Sequence, residues 1–397
     1  MSPIKPTRLI DAGIQVLDCE HKTPPPVSAG FPYIAIPDIQ NGRINTSKSR
    51  LISAEDLKLW TRRHKPQGGD ILVTRRGRVG DTAPVPSDLE CAIGQNLVLL
   101  RSTNENVDQD YLRWAVRSPQ WWAEVERLTN VGAVFSSLNV RDIGQIRLIF
   151  PDLYIQRAIA KVLGALDDKI AANVKLAEML TEVAMAKFKA CAKSSHRSVP
   201  LSDLVTTQYG ITTSSHDGPG PQFLRVTDIN KKPWIEWETA PYCTVSEPEL
   251  AKYKVHPGDI LVARMADPGK AAYVDPGDPE AVFASYLVRL RALDSRLALF
   301  IYYYLRSDVY KKYTEGAIQG SVQKNMNAKV IVASDISMPE PEMLSKFNEV
   351  VTKIRAQIQS VLKQNLKLSE TRDTLLPHLM SGKLRVKDAE SLVEFVV

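Results

Sequence analysis

The chain is poor in the features that mark a disulfide scaffold, a membrane span or a catalytic centre. Its four cysteines, Cys19, Cys91, Cys191 and Cys243, lie far apart with no C-x-x-C pair. That spacing argues against a disulfide framework or a structural zinc site, and scattered thiols fit a reducing, cytoplasmic compartment. No apolar run approaches the roughly 20 residues that span a bilayer, and Met1-Ser2-Pro3-Ile4-Lys5-Pro6 lacks the apolar core of a signal peptide. A soluble cytoplasmic protein without membrane attachment is expected. Charge of neither sign dominates: 51 Lys+Arg against 45 Asp+Glu leave +6, a balance that permits a nucleic-acid partner without demanding one.

What is present is a tandem repeat. With 397 residues and 44% hydrophobic content the chain can fill two or more cores. Gly69-Asp70-Ile71-Leu72-Val73 returns as Gly258-Asp259-Ile260-Leu261-Val262, an offset of 189. Ile36-Pro37-Asp38-Ile39 matches Val226-Thr227-Asp228-Ile229, and Leu97-Val98-Leu99-Leu100-Arg101 matches Leu287-Val288-Arg289-Leu290-Arg291, both at 190. The register persists through Tyr111–Trp114 with Arg117-Ser118 against Phe300–Tyr303 with Arg306-Ser307. It runs on through Gly132-Ala133-Val134 against Gly320-Ser321-Val322, and Asn173–Leu176 against Asn365–Leu368. Six matches in one order make chance untenable, so each half should fold alike.

Each half has two parts. Residues 1–152 and 194–340 mix short β-like runs with Gly, Pro, Asn and Asp, and the two Gly-Asp segments read as strands entered from turns. Segments 108–128 and 295–314 read as helices with aromatic faces. Residues 153–193 and 341–384 read as long helices, with a tail at 385–397. The second helix carries a seam at Phe347, Val351, Ile354, Ile358, Val361, Asn365, Leu368, Arg372, Leu375 and Leu379, in alternating steps of four and three. Such a 3.5-residue repeat keeps one stripe facing a partner helix. The first helix fits the frame more loosely, through Ile159, Val162, Leu166, Lys169, Asn173, Leu176, Leu180 and Val183. Asn173 and Asn365 then fix register within the seam or face solvent. The expected fold class is α+β: two duplicated mixed α/β domains separated by two long antiparallel helices in a coiled coil, with pseudo-two-fold symmetry.

This arrangement resembles the specificity subunits of type I restriction-modification systems. The resemblance is carried by the two Gly-Asp segments, by Gln156–Ala160 leading to Leu166-Asp167-Asp168-Lys169-Ile170, and by Leu375-Leu376-Pro377-His378-Leu379-Met380-Ser381-Gly382-Lys383-Leu384. It covers nearly the whole chain. It implies that each mixed domain is a target-recognition domain reading one half of a split, asymmetric site on double-stranded DNA. The helices set the unread gap and dock methyltransferase subunits, two of them expected, and the full complex recruits restriction subunits. The chain itself would be non-catalytic and without cofactor, with methyl donor, ATP and magnesium on the partner subunits. One departure is Lys169 and Lys187 at seam positions, which would make the pairing of the first helix less regular.

DNA reading calls for cations to meet phosphates and bidentate side chains to meet base edges. Arg75, Arg76 and Arg78, set among glycines after the first Gly-Asp strand, form the leading candidate cluster. Its counterpart bears Arg264 and Lys270, a different chemistry suited to a different half-site. A second pair of loops offers Ser136, Ser137 and Asn139 in one half, and Gln323, Lys324, Asn325 and Asn327 in the other. Arg62-Arg63-His64-Lys65 and Lys311-Lys312 are phosphate contacts at best. For all of these the competing reading is a solvated surface loop.

Enzymatic alternatives find little support. The G-x-x-x-x-G-K-[ST] loop is absent, as is H-E-x-x-H among six dispersed histidines. Pro24-Pro25-Pro26-Val27 lacks the leading amide and the aromatic of an amino-methyltransferase loop. Asp38 followed by Asp56-Leu57-Lys58 superficially matches a nuclease metal site, but the second half keeps Asp228 without the following acid-x-Lys. A coiled-coil adaptor that never meets DNA would leave the cation-bearing loops unexplained.

Overall fold

The computed structural model describes residues 5–131, 136–194, 197–318 and 325–394. The chain divides into two compact units, residues 1–170 with 365–397 and residues 171–364, so each long helix contributes a part to both.

In the first unit a four-stranded antiparallel sheet runs in the order Ile14–Asp18, Leu97–Ser102, Ile71–Thr74, Thr82–Pro84. Successive side chains of a strand point to opposite faces, and here both faces are covered. Ile71, Val73, Val98 and Leu100 pack against helices, while Leu72, Leu97 and Leu99 pack beneath Ile34, Ile39 and Ile93. That explains the uninterrupted apolar runs. Each such buried side chain stabilises the fold by about 1.5–3 kcal/mol.

The Gly-Asp segment is a structural clasp. Gly69 sits at φ +88°, a conformation open to glycine. The buried Asp70 carboxylate accepts the Gln67 N–H at 2.8 Å and a forked pair from Arg101 at 2.7 and 2.6 Å. The expected aromatic helix at 108–128 is broken in two, Gln109–Ala115 and Pro119–Leu128, because Ser118 accepts the Trp121 N–H and Pro119 takes the first helical position.

The second unit repeats the plan, with strands in the order Val205–Tyr209, Leu287–Ala292, Ile260–Ala263, Ala271–Tyr273. Gly258 sits at φ +94°. Asp259 accepts the His256 N–H at 2.8 Å and the Arg291 fork at 2.7 and 2.8 Å. Helices Ala298–Leu305 and Asp308–Ile318 meet at Ser307, whose Oγ accepts the Tyr310 N–H.

Near this sheet Asp278 accepts the Asp275 N–H at 2.7 Å. Burial pushes its carboxyl up to about 6, against that hydrogen bond, and the Asp275 charge adds to the rise. A raised folded-state value means that stabilisation is complete below the ordinary carboxylate range and is lost as pH climbs through about 6. Asp278→Asn keeps the acceptor and cannot ionise. It should therefore gain about 1–2 kcal/mol over the parent at pH 7.5 in urea unfolding, with the gain gone below about pH 4.

The long helices are Leu153–Lys193 and Pro341–Met380. In the first unit Ile159, Val162, Leu163 and Leu166 pack with Leu368, Leu375, Leu376 and Leu379, and the Asn365 amide donates to the Ile170 carbonyl at 3.3 Å. In the second unit Ala184 and Phe188 share a core with Phe347 and Val351. There the Asn173 amide donates to Gln364 Oε1 at 2.9 Å. Numbers run in opposite directions along the two helices in each unit, so the pairing is antiparallel. Both asparagines point into the seam rather than to solvent.

The seam expected for the first helix needs correcting beyond Asn173. Leu176 and Val183 are exposed, whereas Ala177, Ala184, Phe188 and Cys191 are buried. At two positions the stripe moves by one residue, from Leu176 to Ala177 and from Val183 to Ala184, while Leu180 keeps its place against Ala177; Lys187 lies off the seam, exposed. Residues 386–394, expected to be part of a tail, form a helix whose Ala389 joins the first unit's core.

Candidate nucleic-acid interface

In each unit the strand after the Gly-Asp clasp delivers an arginine to the same place. The Arg75 N–H donates to the Asn96 carbonyl at 2.8 Å, and the Arg75 carbonyl accepts the Leu138 N–H at 2.9 Å. In the second unit the Arg264 N–H donates to Tyr286 at 3.0 Å, and the Arg264 carbonyl accepts the Met326 N–H at 2.8 Å. Two loops far apart in sequence, chosen as candidates for their composition, are thus stitched together by the same pair of bonds in both units.

The side chains at these stitches differ. Arg75 is 15% exposed, donates Nε to the Leu138 carbonyl at 3.2 Å and lies 4.0 Å from Asp18, so it fastens the loop. Arg76 is the next residue, on the opposite side of the chain, and bridges to Ser137 through the backbone. Its guanidinium is exposed, with no ion pair or hydrogen bond among the described residues. Arg78 donates to the Ile36 and Ile39 carbonyls and lies 3.4 Å from Asp81. Ser136 is exposed and Ser137 half-buried beside Arg76. Asn139 holds the N-cap position of the short helix Val140–Ile143 without a side-chain cap bond, and its amide instead donates to the Asp142 carboxylate at 2.8 Å.

In the second unit Arg264 is half-buried, its guanidinium 5.0 Å from the centre of the Tyr209 ring, within the range of a cation–π contact. Tyr209 stands where the repeat places Asp18, so an ion pair in one unit is replaced by an aromatic stack in the other. Asn325 is half-buried next to Met326, and Asn327 caps helix Ala328–Ile331 by accepting the Val330 N–H at 2.9 Å. Lys270 is exposed at the end of the Ala266–Lys270 turn. Gln323 and Lys324 lie outside the described residues.

Composition alone missed two features. Exposed Tyr209 and Tyr286 flank Arg264, and reading the repeat position by position would have singled out Tyr209 opposite Asp18. A cleft of about 620 Å³ also opens beside Lys270, lined by Asn230, Lys231, Lys232, Arg306 and Lys311. Its cations outnumber Asp267 and Glu315 on its walls; Lys232 pairs with Glu178 at 2.9 Å, and Lys231 and Lys311 lie 4.0 Å from Glu236 and Glu315, which leaves Lys270 and Arg306 as the cations best suited to an anionic backbone. The Arg62–Lys65 run joins neither loop pair: Arg62 and Arg63 face Glu20, and Lys65 pairs with Glu90. Asp38, the acid of the nuclease-like pairing, is buried and accepts the Ala35 N–H at 2.7 Å. Asp228 accepts the Arg225 N–H in the same way at 2.8 Å. These carboxylates are turn caps.

Residues 25–182 match the family model described as type I restriction modification DNA specificity domain. Over 395 residues the chain is 21% identical to the type I restriction enzyme MjaVIII specificity subunit of Methanocaldococcus jannaschii, covering 90% of this chain and 87% of that one. The MjaIX specificity subunit of the same organism is 23% identical over 392 residues, covering 90% and 88%. The crystal structure of the type I restriction-modification system S subunit from M. genitalium has the same fold, with a TM-score of 0.55 at 14% identity over 96% of this chain and 97% of that one. No described helix is long and apolar enough to cross a membrane. The domain match lies on the first half of a tandem repeat whose second half has the same sheet, clasp and loop stitch, and the full-length similarities span both: residues 25–182 carry a type I restriction modification DNA specificity domain, and the chain is similar over 90% of its length to type I restriction enzyme specificity subunits.

Proposed function

We propose that this chain selects a split DNA sequence for a type I restriction-modification enzyme, each unit reading one half-site, and leaves the chemistry to its partners. The observation that carries this reading is the repeated stitch, which puts a cation-bearing turn beside a polar loop in both units while changing the side chains displayed. A duplicated scaffold with divergent loops is what an asymmetric site requires. Arg76 with Ser136 and Ser137 would meet the first half-site; Arg264, Lys270, Asn325 and Asn327, with Gln323 and Lys324, would meet the second. In the cleft Lys270 and Arg306 would hold phosphates.

Partner docking belongs to the same proposal. Leu176, Met179 and Val183 form an exposed apolar stripe on the first long helix, 39%, 54% and 45% accessible. Exposed stripes of this kind mark protein contacts, and two methyltransferase subunits are the proposed occupants of the helices. Methyl donor, ATP and magnesium would reside on methyltransferase and restriction subunits.

The test is binding and methylation by the chain assembled with its methyltransferase. Arg76→Ala should weaken DNA binding 5- to 150-fold, about 1–3 kcal/mol, if it reads a base, and should relax sequence choice in the first half-site alone. Arg264→Ala should act on the second half-site alone. Methylation-sensitive sequencing reads both outcomes. Unchanged binding after both substitutions would remove the loops from the interface.

A further inference from the structure

Each unit fastens its recognition domain to the long helices through one buried charged group, and the two groups have opposite sign. In the first unit the helix contributes the carboxylate. Asp167, 2% exposed, pairs with Arg113, lies 3.3 Å from Arg43, and receives Arg372 of the second long helix at 2.6 Å. Arg43 also donates to the Asp167 carbonyl at 2.9 Å. Burial works to raise the Asp167 carboxyl, but Arg113, Arg43 and Arg372 outweigh it and hold it below its ordinary value.

In the second unit the helix contributes the cation. Arg355 is buried between the rings of Tyr273 and Tyr302, 4.7 and 4.9 Å from their centres. It donates Nε to Asp275 of the recognition domain at 2.7 Å, with its second nitrogen on the other carboxylate oxygen. Gln359 donates to the same carboxylate at 2.8 Å.

The repeat register shows what each group would meet in the other unit. Arg113 corresponds to Tyr302, Asp275 to Pro86, Asp167 to Gln359 and Arg355 to Leu163. The first recognition domain seated on the second helix pair would bury Arg113 against Arg355, with Gln359 in place of the carboxylate. The second domain on the first pair would leave Asp275 facing Leu163, and Asp167 without two of its three arginines. Removing a partner from a buried ion pair leaves an uncompensated charge, which is costlier than never having the pair.

We propose that these ion pairs are keys: each recognition domain is confined to its own helix pair, and the order of the two half-sites along the DNA is thereby fixed by buried charge. The inference rests on the split-site reading for its consequence, though not for its chemistry. Arg113, Arg43, Asp275 and Arg355 are positioning residues and touch no DNA.

The test exchanges residues 7–148 and 197–338 reciprocally in the full chain, co-produced with its methyltransferase. A second version also exchanges the keys: Leu163→Arg, Asp167→Gln and Leu180→Arg on the first helix, and Arg355→Leu, Gln359→Asp and Arg372→Leu on the second. The re-keyed chain should methylate the parental half-sites in reversed order, and the chain without re-keying should do so at least tenfold less. Equal methylation by both overturns the proposal. Should neither exchanged chain fold, Tyr302→Arg in the parent reproduces the clash alone. It should lower the unfolding midpoint far more than Tyr302→Phe. Adding Arg355→Leu should recover most of the loss, because the introduced guanidinium can then pair with Asp275. Absence of that recovery also overturns the keys. A parent complex that methylates no split site would refute the reading of function, while the unfolding series would still report on the keys.

Discussion

Asp167→Ala is expected to cost the first unit about 3–5 kcal/mol of stability, the range for breaking a buried ion pair by removing one partner. The carboxylate is the meeting point of Arg43, Arg113 and Arg372. Without it the three cations remain close together, and only Arg43 is near half exposed. Arg117 worsens the imbalance. Its guanidinium packs over the Trp114 ring, and burial already pulls its pKa down, aided by Arg372 and Arg113 and opposed by Asp167. Urea unfolding of the intact chain measures the loss, which should appear as a first transition at lower denaturant with the second unit's transition in place. The sign with pH follows from the lowered folded-state value. The stabilisation is complete above the ordinary carboxylate range, near 3.8, and is lost as pH falls through the lower folded value. Parent and variant should therefore converge in strong acid. A change under about 1 kcal/mol at neutral pH would mean that the arginines find other partners and that Asp167 is no hub.

Much of the architecture was legible because it is written in local pattern and repetition. The 3.5-residue spacing of the second helix, from Phe347 to Leu379, is carried by large apolar side chains, and those side chains form its buried seam. The first helix misled beyond Asn173 for a physical reason: at two of its contact positions there the buried residues are Ala177 and Ala184, which bury little area and give a weak signal beside Leu176 and Val183. The same two large residues, turned outward, join Met179 in the apolar stripe. In the candidate loops composition picked segments that the fold stitches together, and could not rank the arginines within them. Arg75 and Arg76 are adjacent and chemically identical, yet neighbouring positions on an extended chain face opposite ways, one toward Asp18 and Leu138 and the other to solvent. The keys were illegible for a different reason. Arg113 and Asp167 are 54 residues apart, and Asp275 and Arg355 are 80 apart. No local rule couples residues so distant, and only the three-dimensional path brings them together.

Lengthening both long helices should change the site that is read without changing its half-sites. The proposed role of the helices is to hold the gap, and a helix rises 1.5 Å per residue. Four residues inserted after Ile170, with four more after Gln364, add about 6 Å to each helix between the residues assigned to one unit and those assigned to the other. DNA advances about 3.4 Å per base pair, so the preferred gap should grow by one to two base pairs. Both helices must be extended together, because the Asn365–Ile170 and Asn173–Gln364 bonds tie the register on each side of the insertion, and extending one helix alone would unpair them. Four residues also turn a helix about 40° past a full turn, since 3.6 residues make one turn. A parallel insertion of seven residues, closer to a whole number of turns, separates the effect of length from that of rotation. Affinity for the parental site should fall toward the non-specific level, about a thousandfold or more, while a site with the longer gap regains most of it. Binding of the assembled enzyme to a set of duplexes that differ only in gap length reads the result directly. An unaltered gap preference in both insertions would mean that spacing is held by the partner subunits, and that the two long helices serve only to pack each unit's core.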